Sequence, residues 1–164
     1  MSHKATPALQ ALDEAKVAYV RHEYEHDDRS ELGFGREGAA KLGLDASRVF
    51  KTLMAEVDGH LACAVVPASG SLNLKALAAA LGGKRAEMAR PHDAERATGY
   101  VVGGISPLGQ RRAHPTVIDD SALAFATILV SGGRRGLSVE LDPRELAPVV
   151  GAAFAPIGRP DTAR

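Results

Sequence analysis

Two apolar runs, residues 49–57 and 61–66, flank Asp58-Gly59, and no feature of this chain narrows its fold more. Asp-Gly between β-like segments favours a two-residue turn whose central residues both take positive φ, so the runs read as neighbouring antiparallel strands. Helices surround that hairpin. Thr6 caps and Pro7 opens an amphipathic helix bearing Leu9, Leu12 and Val17 and ending near Ala15-Lys16. Residues 35–42 form a short helix closed by Gly43, and residues 72–81 keep helical spacing until Gly82-Gly83. Pro91 starts another helix to Ala97, and Pro143 a last one to Val150, before a tail with little apolar content. Residues 19–24, 116–118, 126–130 and 137–141 are the remaining strand candidates. Strands gather in the middle while helices lie at the ends and between hairpins, which fits an α+β fold with a mixed sheet better than regular strand–helix alternation.

Length and composition limit the number of domains and the kinds of partner. A chain of 164 residues, 45% hydrophobic, can bury one sound core, because a domain of this size hides roughly two-thirds of its unfolded surface. Twenty basic and twenty acidic residues cancel, which argues against gripping long nucleic acid by global charge and leaves room for a local basic patch. Aromatic residues are only 4% with no tryptophan, so base-stacking platforms are scarce and RNA contact should be electrostatic. Cys63 is the single cysteine and reads as a small buried hydrophobe. No apolar run approaches the roughly twenty residues of a membrane span, so the expectation is a soluble, cytoplasmic protein.

Three segments carry chemistry. Lys51, in Val49-Phe-Lys-Thr-Leu53, places an ammonium in an otherwise apolar strand, where burial without a partner is costly; the alternative is a surface lysine on the outward face. In the stretch 99–109, Gly103-Gly104 can offer main-chain N–H groups to a carbonyl oxygen while Pro107 stiffens the loop, or can simply make a tight turn. Ser131-Gly-Gly-Arg-Arg-Gly136 can form an anion-binding nest or a hairpin turn, and lacks the lysine and hydroxyl spacing of a nucleotide P-loop. Tyr24, in His22-Glu-Tyr-Glu-His26, is a further contact candidate or a packing residue with a wet tip. His22 and His26 lie four positions apart in an extended segment, roughly 13 Å, too far for one metal. CxxC and HExxH patterns are also missing, so no metal is expected. His114, Asp119, Asp120, Ser106 and Ser131 supply the residue types of a hydrolase triad, but no Gly-x-Ser-x-Gly elbow accompanies them.

The Phe-Lys-Thr segment, the Gly-x-x-x-Pro loop and the 130–136 segment, in this order, resemble the YbaK/EbsC family of aminoacyl-tRNA deacylases, from about Pro7 through Ile157. That resemblance implies one domain over residues 1–158, a mixed, barrel-like sheet flanked by helices, with 159–164 as a flexible tail. It implies that Lys51 is the essential active-site residue, orienting the terminal adenosine and the acyl ester with Thr52 beside it. Gly103 would act on the acyl carbonyl, with Gly104, Ile105, Ser106 and Pro107 lining the acyl pocket and Tyr24, Ser131 and Gly132 contacting substrate. The implied activity is trans-editing of mischarged aminoacyl-tRNA, above all Cys-tRNA(Pro), by positioning and attack of the substrate's own thiol, without metal or cofactor. The implied partners are tRNA(Pro) and prolyl-tRNA synthetase. One departure bears on acyl selectivity: Ser138 stands in Gly136-Leu-Ser-Val-Glu140 where many relatives have aspartate. Removal of alanine or another small residue from tRNA is the alternative within the enzyme class. A non-catalytic module binding tRNA or a synthetase through Arg111-Arg112 and Arg134-Arg135 is the alternative outside it.

Overall fold

In the computed structural model, which describes residues 5–26 and 34–160, the Asp58-Gly59 step makes the expected turn. Both residues have positive φ, 51° and 84°, and Val57 pairs with His60 across it. The turn joins β2 (Phe50–Val57) to β3 (His60–Pro67). Before them come α1 (Pro7–Ala15), β1 (Val20–Glu23) and α2 (Phe34–Leu42). The Thr6 hydroxyl accepts from Leu9 N, and Lys16 ends α1 in the left-handed conformation.

After the hairpin the chain runs through β4 (Gly70–Leu72), α3 (Leu74–Ala80), β5 (Ala86–Met88), α4 (Pro91–Thr98) and β6 (Thr116–Asp119). A 3-10 turn at Asp120–Ala124 leads to β7 (Ile128–Arg134), β8 (Leu137–Leu141), α5 (Pro143–Val150), β9 (Ala152–Ala155) and β10 (Gly158–Pro160). The five-stranded sheet has the order β5-β2-β3-β6-β9, the three-stranded sheet β1-β8-β7, and β4 pairs with β10. One parallel bridge, Val49 to Leu129, links the two larger sheets. The mixture is real: β3, β6 and β9 run parallel, whereas the other ladders are antiparallel.

Burial explains why β3 is a continuous apolar run rather than an alternating one. Cys63 and Val65 face the larger core, built with Leu9 and Leu12 of α1, Val130 and Val139 of the three-stranded sheet and Leu146 of α5. Ala62, Ala64 and Val66 face the other way onto Leu77 and Ala78 of α3. A strand covered on both faces has no polar side to display.

Four short strands depart from the sequence reading. β4 takes Leu72 from the expected helix, and Asn73 then caps α3, its side chain accepting from Ala76 N at 3.1 Å. β5 is fixed by the hairpin turn itself, because the Asp58 carboxylate accepts from the Lys84 and Arg85 backbone N–H groups. Tertiary pairing also orders the supposed tail: β9 lies on β6, and β10 carries Arg159 and Pro160 onto Ser71 and Gly70, across the boundary expected at Gly158. Residues 161–164 lie outside the described ones.

Asp119 holds that C-terminal crossing. Its Oδ1 accepts from Ile157 N and Gly158 N at 3.0 and 2.6 Å, and its Oδ2 accepts from the Ser121 backbone N–H and hydroxyl. Only 6% exposed, Asp119 cannot hand these donors to water. Asp119→Ala is expected to cost about 3 kcal/mol, or a fall in melting temperature of roughly 6–12 °C at this size. A calorimetric melt within 2 °C of wild type would contradict it.

Candidate active site

The cavity exists because β2 is paired unequally on its two edges. β3 follows it along its whole length, but β5 reaches only Ala55, Glu56 and Val57. The edge from Phe50 to Leu53 therefore opens onto a cavity of about 270 Å³, and consecutive residues from Val49 to Met54 line it. Facing walls come from the 102–105 loop and from β7 and β8, with Ser131, Leu137 and Ser138 among the lining. Phe50, Met54, Ile105 and Leu137 make much of the surface apolar. Helix α2 lies over one side through two glycines. A Cβ on Gly38 would stand 3.1 Å from the Tyr24 hydroxyl oxygen, and one on Gly35 would stand 2.8 Å from the Ala68 Cβ.

Lys51, opposite Val66 in the β2–β3 ladder, is half-buried and lines this cavity. Beside it the Thr52 hydroxyl is buried with no hydrogen-bond partner among the described residues. Such an orphaned group in a cavity wall is what a ligand satisfies. Tyr24 also lines the cavity, and burial first, then the Glu37 charge, raises its pKa, keeping the phenol protonated as a donor. Met88, Val102, Arg134 and Ser138 complete parts of the wall beyond the residues expected to hold the substrate. Of these, the sequence marks Arg134 as half of a basic pair and Ser138 as a departure from the aspartate of many relatives, whereas nothing marks Met88 or Val102.

The glycine loop divides. Residues 101–104 form a turn with Gly104 N donating to Val101 O at 2.8 Å, and Gly103 has φ 89°. This is the type II position that glycine fills without strain. Gly103 lines the cavity, and its N–H has no acceptor among the described residues. The Gly104 N–H is consumed by the turn, which corrects the expectation that both amides face the acyl carbonyl. Gly104 is buried instead against the Arg134–Arg135 backbone, where an added Cβ would lie 2.8 Å from the Arg134 Cα. Ile105 reaches the cavity; Ser106 and Pro107 are buried behind it, and the Ser106 hydroxyl accepts from Leu108 N. Gly103→Leu is expected to abolish turnover, since a bulky side chain on this cavity-lining residue takes up cavity space and disfavours positive φ by about 1–2 kcal/mol. Unchanged kcat and KM would make this a purely structural turn.

The 131–136 segment is not an open nest. β7 continues through Arg134, a bulge between Ser131 and Arg134 absorbs Gly132 and Gly133, and Arg134 pairs with Leu137 across a two-residue turn. Ser131 lines the cavity while its hydroxyl accepts from Gly133 N at 3.1 Å. Gly132 is outside the lining: the Thr6 hydroxyl donates to its carbonyl, and a Cβ there would meet Leu137 Cγ at 2.7 Å.

A charged cluster fixes the entry to the Lys51 strand. Glu140 on β8 meets Arg48 Nη2 at 2.6 Å, His22 Nε2 at 2.8 Å and the Thr127 hydroxyl at 2.7 Å. Arg48 Nε also donates to Thr127 O at 3.0 Å, and Leu129 N to Arg48 O at 3.2 Å. The Thr127 hydroxyl, then His22 and Arg48, hold the Glu140 pKa down at about 2, from an ordinary value of 4.5. A carboxyl whose pKa is depressed by folding stabilises the fold above its unfolded pKa and loses that contribution as pH falls through its folded pKa. Glu140→Gln should therefore lower the urea midpoint at pH 7, and the gap to wild type should close between pH 4.5 and about 2. A gap independent of pH would reject the charge as its cause.

Other reactive groups have structural employment. Burial pushes the Cys63 thiol up to about 12, so it is no nucleophile at neutral pH. His114 Nδ1 is 2.7 Å from Gln110 Oε1, and Asp119 is taken by its four donors, so these do not join Ser106 or Ser131 in a triad. His22 and His26 have separate carboxylate partners, Glu140 and Glu37. No group of three or more metal-capable side chains occurs among the described residues, and no described helix is long and apolar enough to cross a membrane.

Residues 36–148 match the model of the aminoacyl-tRNA editing domain. The chain is 35% identical over 159 residues to an Enterococcus faecalis protein named "Putative Cys-tRNA(Pro)/Cys-tRNA(Cys) deacylase EbsC", covering 95% of this chain and 94% of that one. Among solved structures, it is similar to one of a "hypothetical protein", with a TM-score of 0.82, 26% identity and coverage of 93% and 99%. It shares its fold with one described as "a putative trans-editing enzyme for prolyl tRNA synthetase", with a TM-score of 0.81, 22% identity and coverage of 97% and 99%. The chain belongs to the aminoacyl-tRNA editing-domain family. Its class is that of the aminoacyl-tRNA deacylases.

Proposed function

We propose that this chain acts in trans on mischarged tRNA and that its substrate is Cys-tRNA(Pro). The observation that carries this reading is the convergence of Lys51, the orphaned Thr52 hydroxyl and Gly103 on one cavity of about 270 Å³. That volume lies below the range of about 300–1,000 Å³ for drug-sized ligands and suits a small acyl group. The name of the Enterococcus faecalis relative supports cysteine as that group.

In this reading Lys51 and Thr52 orient the ester and the terminal ribose, and the Lys51 ammonium and the Gly103 N–H stabilise charge developing on oxygen. The substrate thiol loses its proton and attacks its own carbonyl carbon. A carbon–sulfur bond forms, the carbon–oxygen ester bond breaks, and the tRNA hydroxyl leaves with a proton. Water then opens the resulting thiolactone to free cysteine. Ser138 puts a neutral hydroxyl into a wall that also holds Lys51 and Arg134, at the position where many relatives have aspartate, which keeps alanine or another small residue as the alternative acyl group.

A panel of cysteinyl-, alanyl- and seryl-tRNA(Pro), each with and without prolyl-tRNA synthetase, tests the proposal. Cysteinyl-tRNA(Pro) should be hydrolysed fastest. Preference for the alanyl ester would replace the substrate, and binding without acceleration of any ester would favour a non-catalytic module.

A further inference from the structure

The turn that presents Gly103 is fixed at each of its three peptide planes. Glu95 Oε2, on α4, accepts from Val102 N at 2.9 Å. Arg135 Nε, in the turn between β7 and β8, donates to Val102 O at 2.9 Å. Gly104 N closes on Val101 O at 2.8 Å. Of the polar groups on the central plane, between Val102 and Gly103, the carbonyl is held and the N–H is not.

Geometry ties those two groups together. A trans peptide sets N–H and C=O on opposite edges, so drawing the Val102 carbonyl toward Arg135 sends the Gly103 N–H the other way. The plane also has an alternative. Types I and II differ mainly by a flip of this central peptide, and glycine at the third position tolerates both. The flipped form would aim the Val102 carbonyl where the N–H had been and set a partial negative charge against a developing oxyanion.

We infer that Arg135 and Glu95 are positioning residues that hold the 101–104 turn in the form presenting the Gly103 N–H to the reacting carbonyl. This rests on the deacylase reading of the cavity. Arg135 is exposed and Glu95 half-buried, so neither is core packing that the fold needs. The basic pair is thereby divided: Arg134 lines the cavity and meets Glu23 at 3.4 Å, while Arg135 acts on the loop.

Two measurements on the full chain test this. Arg135→Ala should lower kcat about 10- to 10²-fold with KM within twofold, because a misoriented donor costs transition-state stabilisation rather than binding. Added guanidinium should restore part of the loss, Arg135→Lys should not, and Glu95→Gln, which keeps an amide oxygen for Val102 N, should exceed Glu95→Ala. Independently of turnover, the Gly103 amide resonance should shift or broaden in Arg135→Ala. Raised KM at unchanged kcat would make Arg135 a tRNA contact and overturn the inference, as would full activity of Arg135→Lys. An unchanged Gly103 resonance would also overturn it. Should wild type hydrolyse no aminoacyl ester, the deacylase reading fails, and the resonance still decides whether Arg135 holds the plane.

Discussion

Lys51→Ala is expected to reduce deacylation by about 10²–10³-fold, the loss typical when a preorganised group stabilising charge on oxygen is removed. That corresponds to about 2.7–4 kcal/mol of transition-state stabilisation. The fold should survive. Lys51 sits where β2 lacks a β5 partner, its backbone pairs with Val66, and an alanine there leaves the ladder intact. Single-turnover hydrolysis should be measured beside a thermal melt, with Lys51→Met included to keep the packing of the aliphatic stem. Turnover within threefold of wild type in either variant would remove Lys51 from the chemistry. If the alanine variant unfolds, the methionine variant carries the test. Retained binding of acylated tRNA by an inactive, folded variant would separate an enzyme from a passive module.

The elements with strong local signals were legible. Asp58-Gly59 wrote the central hairpin, and Thr6-Pro7 wrote the start of α1, because each turn or cap is decided by a few neighbouring residues. β9 and β10 were not legible, since nothing in residues 152–160 announces that β6 and β4 supply their partners. Tertiary pairing can order a segment whose own composition reads as tail. The site divided along the same line. Lys51, Thr52, Tyr24, Gly103, Ile105 and Ser131 line the cavity, whereas Gly104, Ser106, Pro107 and Gly132 stand outside its lining. Adjacent glycines look alike in sequence. Only the hydrogen bond from Gly104 to Val101 shows that one amide is spent on making the turn while its neighbour has no acceptor among the described residues. The partners Glu95, Arg135 and the Arg48–Glu140 pair were not legible either, because spacing and composition do not say which group each side chain meets.

Exchanging one atom of the substrate should have the other large effect. If the attacking group belongs to the substrate, cysteinyl-tRNA(Pro) should react and seryl-tRNA(Pro) should stall, with a rate ratio of at least about 10². The two esters are nearly the same size, so a cavity of about 270 Å³ cannot separate them by fit alone. Nucleophilicity can. A thiol is partly ionised near neutral pH and intrinsically reactive, whereas an aliphatic alcohol is essentially un-ionised there. The protein offers no thiol of its own for the purpose, because Cys63 is fully buried with its pKa at about 12 and does not line the cavity. Cys63→Ala should therefore keep its rate on cysteinyl-tRNA, losing only of order 1 kcal/mol of stability from the small void. The rate should also climb with pH as the substrate thiol ionises. Equal hydrolysis of the cysteinyl and seryl esters would instead assign the attack to water, and loss of activity in a folded Cys63→Ala protein would assign it to the enzyme.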